Sequence, residues 1–68
     1  MDKALLEYEM KKNNLTAEDM CNKMDISRSA FYRKCNGRSE FTLGEIKMIV
    51  DILHLESPMA IFFANEVS

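Results

Sequence analysis

Apolar residues recur along this chain at spacings of three and four, with polar positions between them, and that period predicts helices and not strands. The first helix is expected from about Asp2 to Asn13, with Leu5, Leu6, Tyr8 and Met10 supplying its apolar contacts. Asn13-Asn14 closes it, because Asn tolerates the left-handed conformation of a helix end. Thr16 caps a second helix, Asp19 completes a capping box, and Leu15 with Met20 holds the positions of a hydrophobic staple. Met20, Cys21 and Met24 form its expected buried stripe. After a break of only Asp25-Ile26, Ser27 caps a third helix running to about Cys35, with Ala30 and Phe31 inward and Asn36-Gly37 at its end. Residues 38–41 read as a loop.

Thr42 and Glu45 form a second capping box, opening a fourth helix whose stripe is Leu43, Ile46, Ile49, Val50 and Leu53. His54 stands at its end, where a histidine interacts well with the helix dipole. Ser57 as N-cap and Pro58 in the first helical position start a short last helix carrying Met59, Phe62 and Phe63. The methionines at 20, 24, 48 and 59 are read as core. The expectation is therefore one all-α domain spanning residues 1–68, with five helices and no linker or repeat.

Composition narrows the class without changing that picture. Hydrophobic residues make up 47% and charged residues 29% of the 68 positions, which suits a globular chain and not a disordered one. With two Gly and one Pro the chain lacks the turn residues of an all-β fold. No apolar run is long enough to span a bilayer, and Met1-Asp2-Lys3 lacks the basic start of a secretory signal, so the expected location is cytoplasmic. Cys21 and Cys35 make no disulfide framework there, and with His54 as the one histidine no metal site is expected. No nucleophile–base pair and no Gly-rich phosphate loop is recognisable, so neither catalysis, nor a cofactor, nor a small-molecule ligand is expected.

Charge is informative through its distribution. The net value is −2, yet residues 20–39 carry Lys23, Arg28, Arg33, Lys34 and Arg38 against Asp25 alone, while the flanks are acidic. Two short helices joined by a tight turn, the second polar and cationic, have a specific physical use. The major groove is about 12 Å wide and admits one α-helix. Arg28 and Arg33 suit guanine edges, Ser29 donates or accepts, and Tyr32 offers a hydroxyl and an apolar face to a thymine methyl. Ser27 and the amides at the helix start suit a phosphate, and Lys34, Asn36 and Arg38 lie where backbone contacts are expected. The bland alternative for these cations is an ordinary solvated face, and for Tyr32 a half-buried packing residue. Clustering on one helix favours the groove.

The stretch LTAEDMCNKMDISRSAFYRKCNGR, residues 15–38, resembles the Cro/phage-repressor type of helix-turn-helix, also called the xenobiotic-response-element family. The likeness continues through FTLGEIKMIVDILHL to the Ser-Pro of the last helix and covers nearly the whole chain; its most specific elements are Leu-Thr-x-Glu, Ile-Ser-Arg-Ser and Asn-Gly-Arg. It implies a five-helix, lambda-repressor-like domain that binds a pseudo-palindromic operator in double-stranded DNA as a repressor-like, prophage-derived regulator. It also implies base contacts at Arg28, Ser29, Tyr32 and Arg33, and phosphate contacts at Ser27, Asn36 and Arg38. Three positions depart from the family: Ala17 replaces the usual bridging glutamine, Asp25 the turn glycine, and Cys35 a common glutamate. The first removes a phosphate anchor or moves it to Lys23.

A surplus of apolar residues near the C-terminal end, Met48, Ile52, Phe62 and Phe63, reads as a wider core or a contact between copies. Because Phe62 and Phe63 point about 100° apart on a helix, a homodimer surface within residues 48–68 is the expectation favoured. The competing function is a protein-interaction or antitoxin-like module on the same fold, suggested by Ala17 and the acidic flanks.

Overall fold

A computed structural model of the chain describes residues 1–63. Among them are helices and no strands: α1 (Lys3–Lys12), α2 (Ala17–Met24), α3 (Arg28–Cys35), α4 (Leu43–Leu53) and α5 (Met59–Phe62). No helix among the described residues is long and apolar enough to cross a membrane.

Local chemistry sets the helix starts. Asp2 lies outside α1 as its N-cap, its carboxylate accepting the Leu5 N–H at 3.0 Å. Thr16 and Thr42 both close reciprocal boxes: each hydroxyl accepts the N–H of the third helical residue at 3.1 Å, and the Asp19 or Glu45 carboxylate accepts the threonine N–H in return. The Thr16 backbone N–H and hydroxyl hold the Asp19 carboxyl below its ordinary pKa. The segments Leu15–Met20 and Phe41–Ile46 share one layout, an apolar residue before the cap and another at the fourth helical position.

The ends follow one rule as well. α1, α2 and α3 each terminate in a left-handed residue, Asn14 (φ 57°), Asp25 (φ 56°) and Gly37 (φ 81°). The next N–H donates back across the last turn: Leu15 to Met10, Ile26 to Cys21, Arg38 to Arg33. The left-handed residue itself donates to Lys11, Asn22 or Lys34, completing Schellman motifs. α4 ends on His54 (φ 54°), with Leu55 N–H donating to Val50 C=O.

These helices bury one core. Leu6, Met20, Ile49, Leu53 and Ile61 are almost fully enclosed, and Met10, Cys21, Met24, Phe31, Cys35, Phe41 and Ile46 complete it. α2 packs on α3 and α4, and α1 on α5. The two layers are tied by Asp2 N–H to Ile61 C=O at 2.7 Å and by the Asn13 amide, which donates to Leu53 C=O at 3.3 Å.

Several expectations are corrected. Leu43 is 68% exposed and not part of the α4 stripe, because it sits in the first helical position; Phe41 lies in the loop as expected, but its side chain is buried in the core. Tyr8 is exposed, lying on the opposite side of α1 from Leu6 and Met10, with Lys12 Nζ 5.9 Å from its ring centre. Met48 and Met59 are also exposed, so only Met20 and Met24 of the four methionines read as core are buried. α5 begins after Pro58, not on it, and its buried residue is Ile61. Phe62 and Phe63 both pack against the core, half-buried, as does Ile52. Phe41 supplies the second wall that the sequence reading lacked, meeting Phe62 edge-on at 5.6 Å and 82°. The part of the expected dimer surface at residues 64–68 lies outside the described residues.

The two glycines predict opposite responses. A methyl group at Gly37 meets nothing within 4 Å, so Gly37→Ala costs only its left-handed backbone, about 1 kcal/mol of stability. Gly44 is helical, with Thr42 Oγ1 at 3.9 Å its nearest neighbour, so Gly44→Ala adds about 0.5–1 kcal/mol through helix propensity. Urea denaturation of the two variants checks both signs.

Candidate nucleic-acid interface

α3 owes its orientation to the turn before it. Asp25 in the left-handed conformation reverses the chain after α2, and Ile26, half-buried against the core, anchors the two-residue link. Ser27 then caps α3 through a hydroxyl that accepts the Ala30 N–H at 3.1 Å. Its carbonyl lies 3.9 Å from the buried Cys21 sulfur, a weak further tie between the helices.

α3 divides cleanly into faces. Phe31 and Cys35 are buried, while Ser27, Arg28, Ser29, Tyr32, Arg33, Asn36 and Arg38 are exposed. At 100° per residue, positions 28, 29, 32, 33 and 36 fall within about 140° of the helix circumference. One side of α3 thus carries two guanidiniums, two hydroxyls and an amide. Among the described residues, neither arginine of that side, nor Arg38 or Lys23, takes part in an ion pair. Tyr32 is 48% exposed and is not among the side chains packed against the core. Asn36 accepts a hydrogen bond from Lys3 Nζ at 2.9 Å through its side-chain oxygen, leaving its NH2 group directed to other partners.

Lys34, expected among the phosphate contacts, is paired within the domain. Its ammonium lies 2.6 Å from both Glu45 oxygens and 5.9 Å from the Phe41 ring centre. On the helix wheel it falls on the flank away from Arg28 and Tyr32, so periodicity alone separates it from the cationic face. Neither this pair nor the Phe41 ring beside the ammonium is legible from spacing along the chain. Ala17, where the family carries a glutamine, is half-buried against the core. Lys23 is exposed in the last turn of α2.

The sulfur chemistry is quiet. Burial pushes the Cys35 thiol up to about 11, and Cys21 is buried as a free thiol. Among the described residues no group of three or more His, Cys, Asp or Glu side chains is placed to hold a metal ion. Two open grooves of about 330 and 360 Å³ lie elsewhere on the surface, and neither is lined by Arg28, Ser29, Tyr32 or Arg33. The cationic face projects outward and does not line either groove.

Two helices joined through a left-handed turn, the second presenting a polar, cationic outer face, define a helix-turn-helix DNA-binding domain. The model of the Cro/C1-type HTH DNA-binding domain matches residues 6–57, and the chain belongs to that family. Neither a curated protein nor a solved structure matches it.

Glu45 gives a pH prediction. Burial raises its carboxyl pKa, but the Lys34 hydrogen bond and the Thr42 N–H outweigh that, and the net shift is downward from 4.5. A depressed carboxyl stabilises the fold above its unfolded pKa and loses that contribution as pH falls through the folded value. Stability is therefore expected to decline below about pH 4.5, and Glu45→Gln to flatten that decline. Urea midpoints measured from pH 6 downward check it; superimposable profiles would contradict the assignment.

Proposed function

We propose that the chain is a sequence-specific transcriptional regulator that inserts α3 into the major groove of an operator and represses by occupying it. The observation that carries this reading is the outer face of α3, with Arg28, Ser29, Tyr32 and Arg33 all exposed and both guanidiniums free of ion pairs among the described residues. Arginine reads guanine through two parallel hydrogen bonds, and a hydroxyl-bearing ring beside it meets a thymine methyl or a base edge. Ser27 with the first α3 amides, Lys23, Asn36 and Arg38 flank that face and are assigned to the phosphates. Lys34 is left out of the set, because Glu45 already holds it.

Pairing of two copies follows from the small number of contacts. Four phosphate contacts and one short helix make weak binding, and two copies on a pseudo-palindrome multiply it. The assigned contact is Met48, exposed on α4, with those parts of Ile52, Phe62 and Phe63 that their packing on the core leaves accessible.

Selection from random duplexes followed by salt titration tests the reading. The affinity for the selected duplex falls steeply with salt, and two chains bind each duplex. Arg33→Ala costs about 1–3 kcal/mol and relaxes preference at one or two base pairs. Lys23→Ala lowers the slope of log affinity against log salt by about 0.9 without changing the preferred sequence. No enrichment of any duplex, or indifference to Arg28 and Arg33, points to the protein-interaction module; one chain per duplex removes the dimer.

A further inference from the structure

α3 is held by little. Of its eight residues only Phe31 and Cys35 are buried, and the helix packs closely on α2 but not on α4. Its C-terminal end is closed by the N–H groups of Gly37 and Arg38, and the Asn36 side chain there accepts from the exposed Lys3 ammonium of α1 at 2.9 Å. One strong contact spans the gap to α4. The Lys34 ammonium meets both oxygens of Glu45 at 2.6 Å, with the two side chains only 16% and 12% exposed.

The surroundings make that contact directional. Glu45 is fixed from the other side, since its Oε1 also accepts the Thr42 N–H at 2.8 Å in the capping box. Lys34 crosses the Phe41 ring, and Phe41 meets Phe31 of α3 edge-on at 6.1 Å and 66°. A largely enclosed ammonium that loses its carboxylate loses the pairing that offsets its desolvation. The pair therefore ties the end of α3 to the start of α4 at one separation.

We propose that Lys34 and Glu45 are positioning residues for DNA reading, holding α3 at the tilt that lets Arg28 and Arg33 engage base edges together without touching DNA themselves. This rests on the function proposed above and assigns Lys34 a role opposite to a phosphate contact. Base readout is sensitive to helix tilt, because a bidentate arginine–guanine pair needs both hydrogen bonds aligned, whereas phosphate contacts tolerate displacement. Breaking the pair thus lowers discrimination more than it lowers general affinity.

The test uses Lys34→Met and Glu45→Gln in the full chain, each measured on the selected operator and on an unrelated duplex across a salt series. Glutamine at 45 keeps the capping box, so that variant removes only the charge facing Lys34. Each variant is expected to lose about tenfold in the ratio of operator to unrelated-duplex affinity, with the double variant no worse than either single one. For Lys34→Met the salt slope stays at the parent value. Any unfolded fraction lowers both affinities alike and cancels in the ratio, and Lys34→Arg, which retains a cation for Glu45, restores it.

A salt slope lower by about 0.9 in Lys34→Met with the ratio unchanged shows a direct phosphate contact and overturns the inference. So does a Glu45→Gln variant with the parent's ratio. If the parent chain shows no salt-dependent duplex binding at all, the DNA reading itself fails and takes the positioning role with it; failure of the inference alone leaves the parent's binding intact.

Discussion

The left-handed turn at Asp25 is the constraint on which the functional face depends. Residue 25 must take φ near 56° for the chain to reverse within two residues, and Ile26 must reach the core for the reversal to stay rigid. Those two conditions set the entry of α3, and Ser27 starts the helix immediately. Everything beyond is a consequence of phase. Once Phe31 and Cys35 point into the core, Arg28, Ser29, Tyr32 and Arg33 point out of it.

A small core makes such local devices matter. The domain repeats two of them: a threonine box with an apolar residue on each side at the starts of α2 and α4, and a left-handed closure at the ends of α1 to α4. Each fixes a boundary through neighbours in sequence, so little of the limited tertiary packing is needed to define where helices stop. The packing that remains is directed at mutual orientation, through Leu6, Met20, Ile49, Leu53 and Ile61. Electrostatics follows the same division. The chain as a whole is acidic, but residues 20–39 present exposed Lys23, Arg28, Arg33 and Arg38 against Asp25 alone, while one cation, Lys34, is withdrawn into the fold. Net charge governs approach at long range, and the local face governs the fit at contact.

How much was legible in the sequence tracks the range of the interactions involved. Helix boundaries were readable to within a residue or so because Thr16-Asp19, Ser27, Asn36-Gly37 and Thr42-Glu45 act on their immediate neighbours. The exposed face of α3 was readable from Phe31 alone, since of the two residues expected inward Ala30 is only partly buried and Cys35 is the second buried residue. Leu43 was misjudged because periodicity gives the direction of a stripe and not where it begins. Phe41 was invisible as core because it belongs to no helix, and without it Phe62 and Phe63 looked surplus. Lys34 was placed on DNA because its partner Glu45 lies 11 residues away and already had a role in its own capping box. Charges counted along a chain do not reveal which of them are already paired.

Backbone and side-chain NMR shifts of the chain, recorded as duplex is added at low salt, test the central claim most directly. The account predicts that the largest changes fall on residues 27–33 with Asn36 and Arg38, and that Tyr32 and the arginine side chains report the same titration. Changes concentrated on α1 or on the Met48–Phe63 ground, with α3 silent, would contradict it.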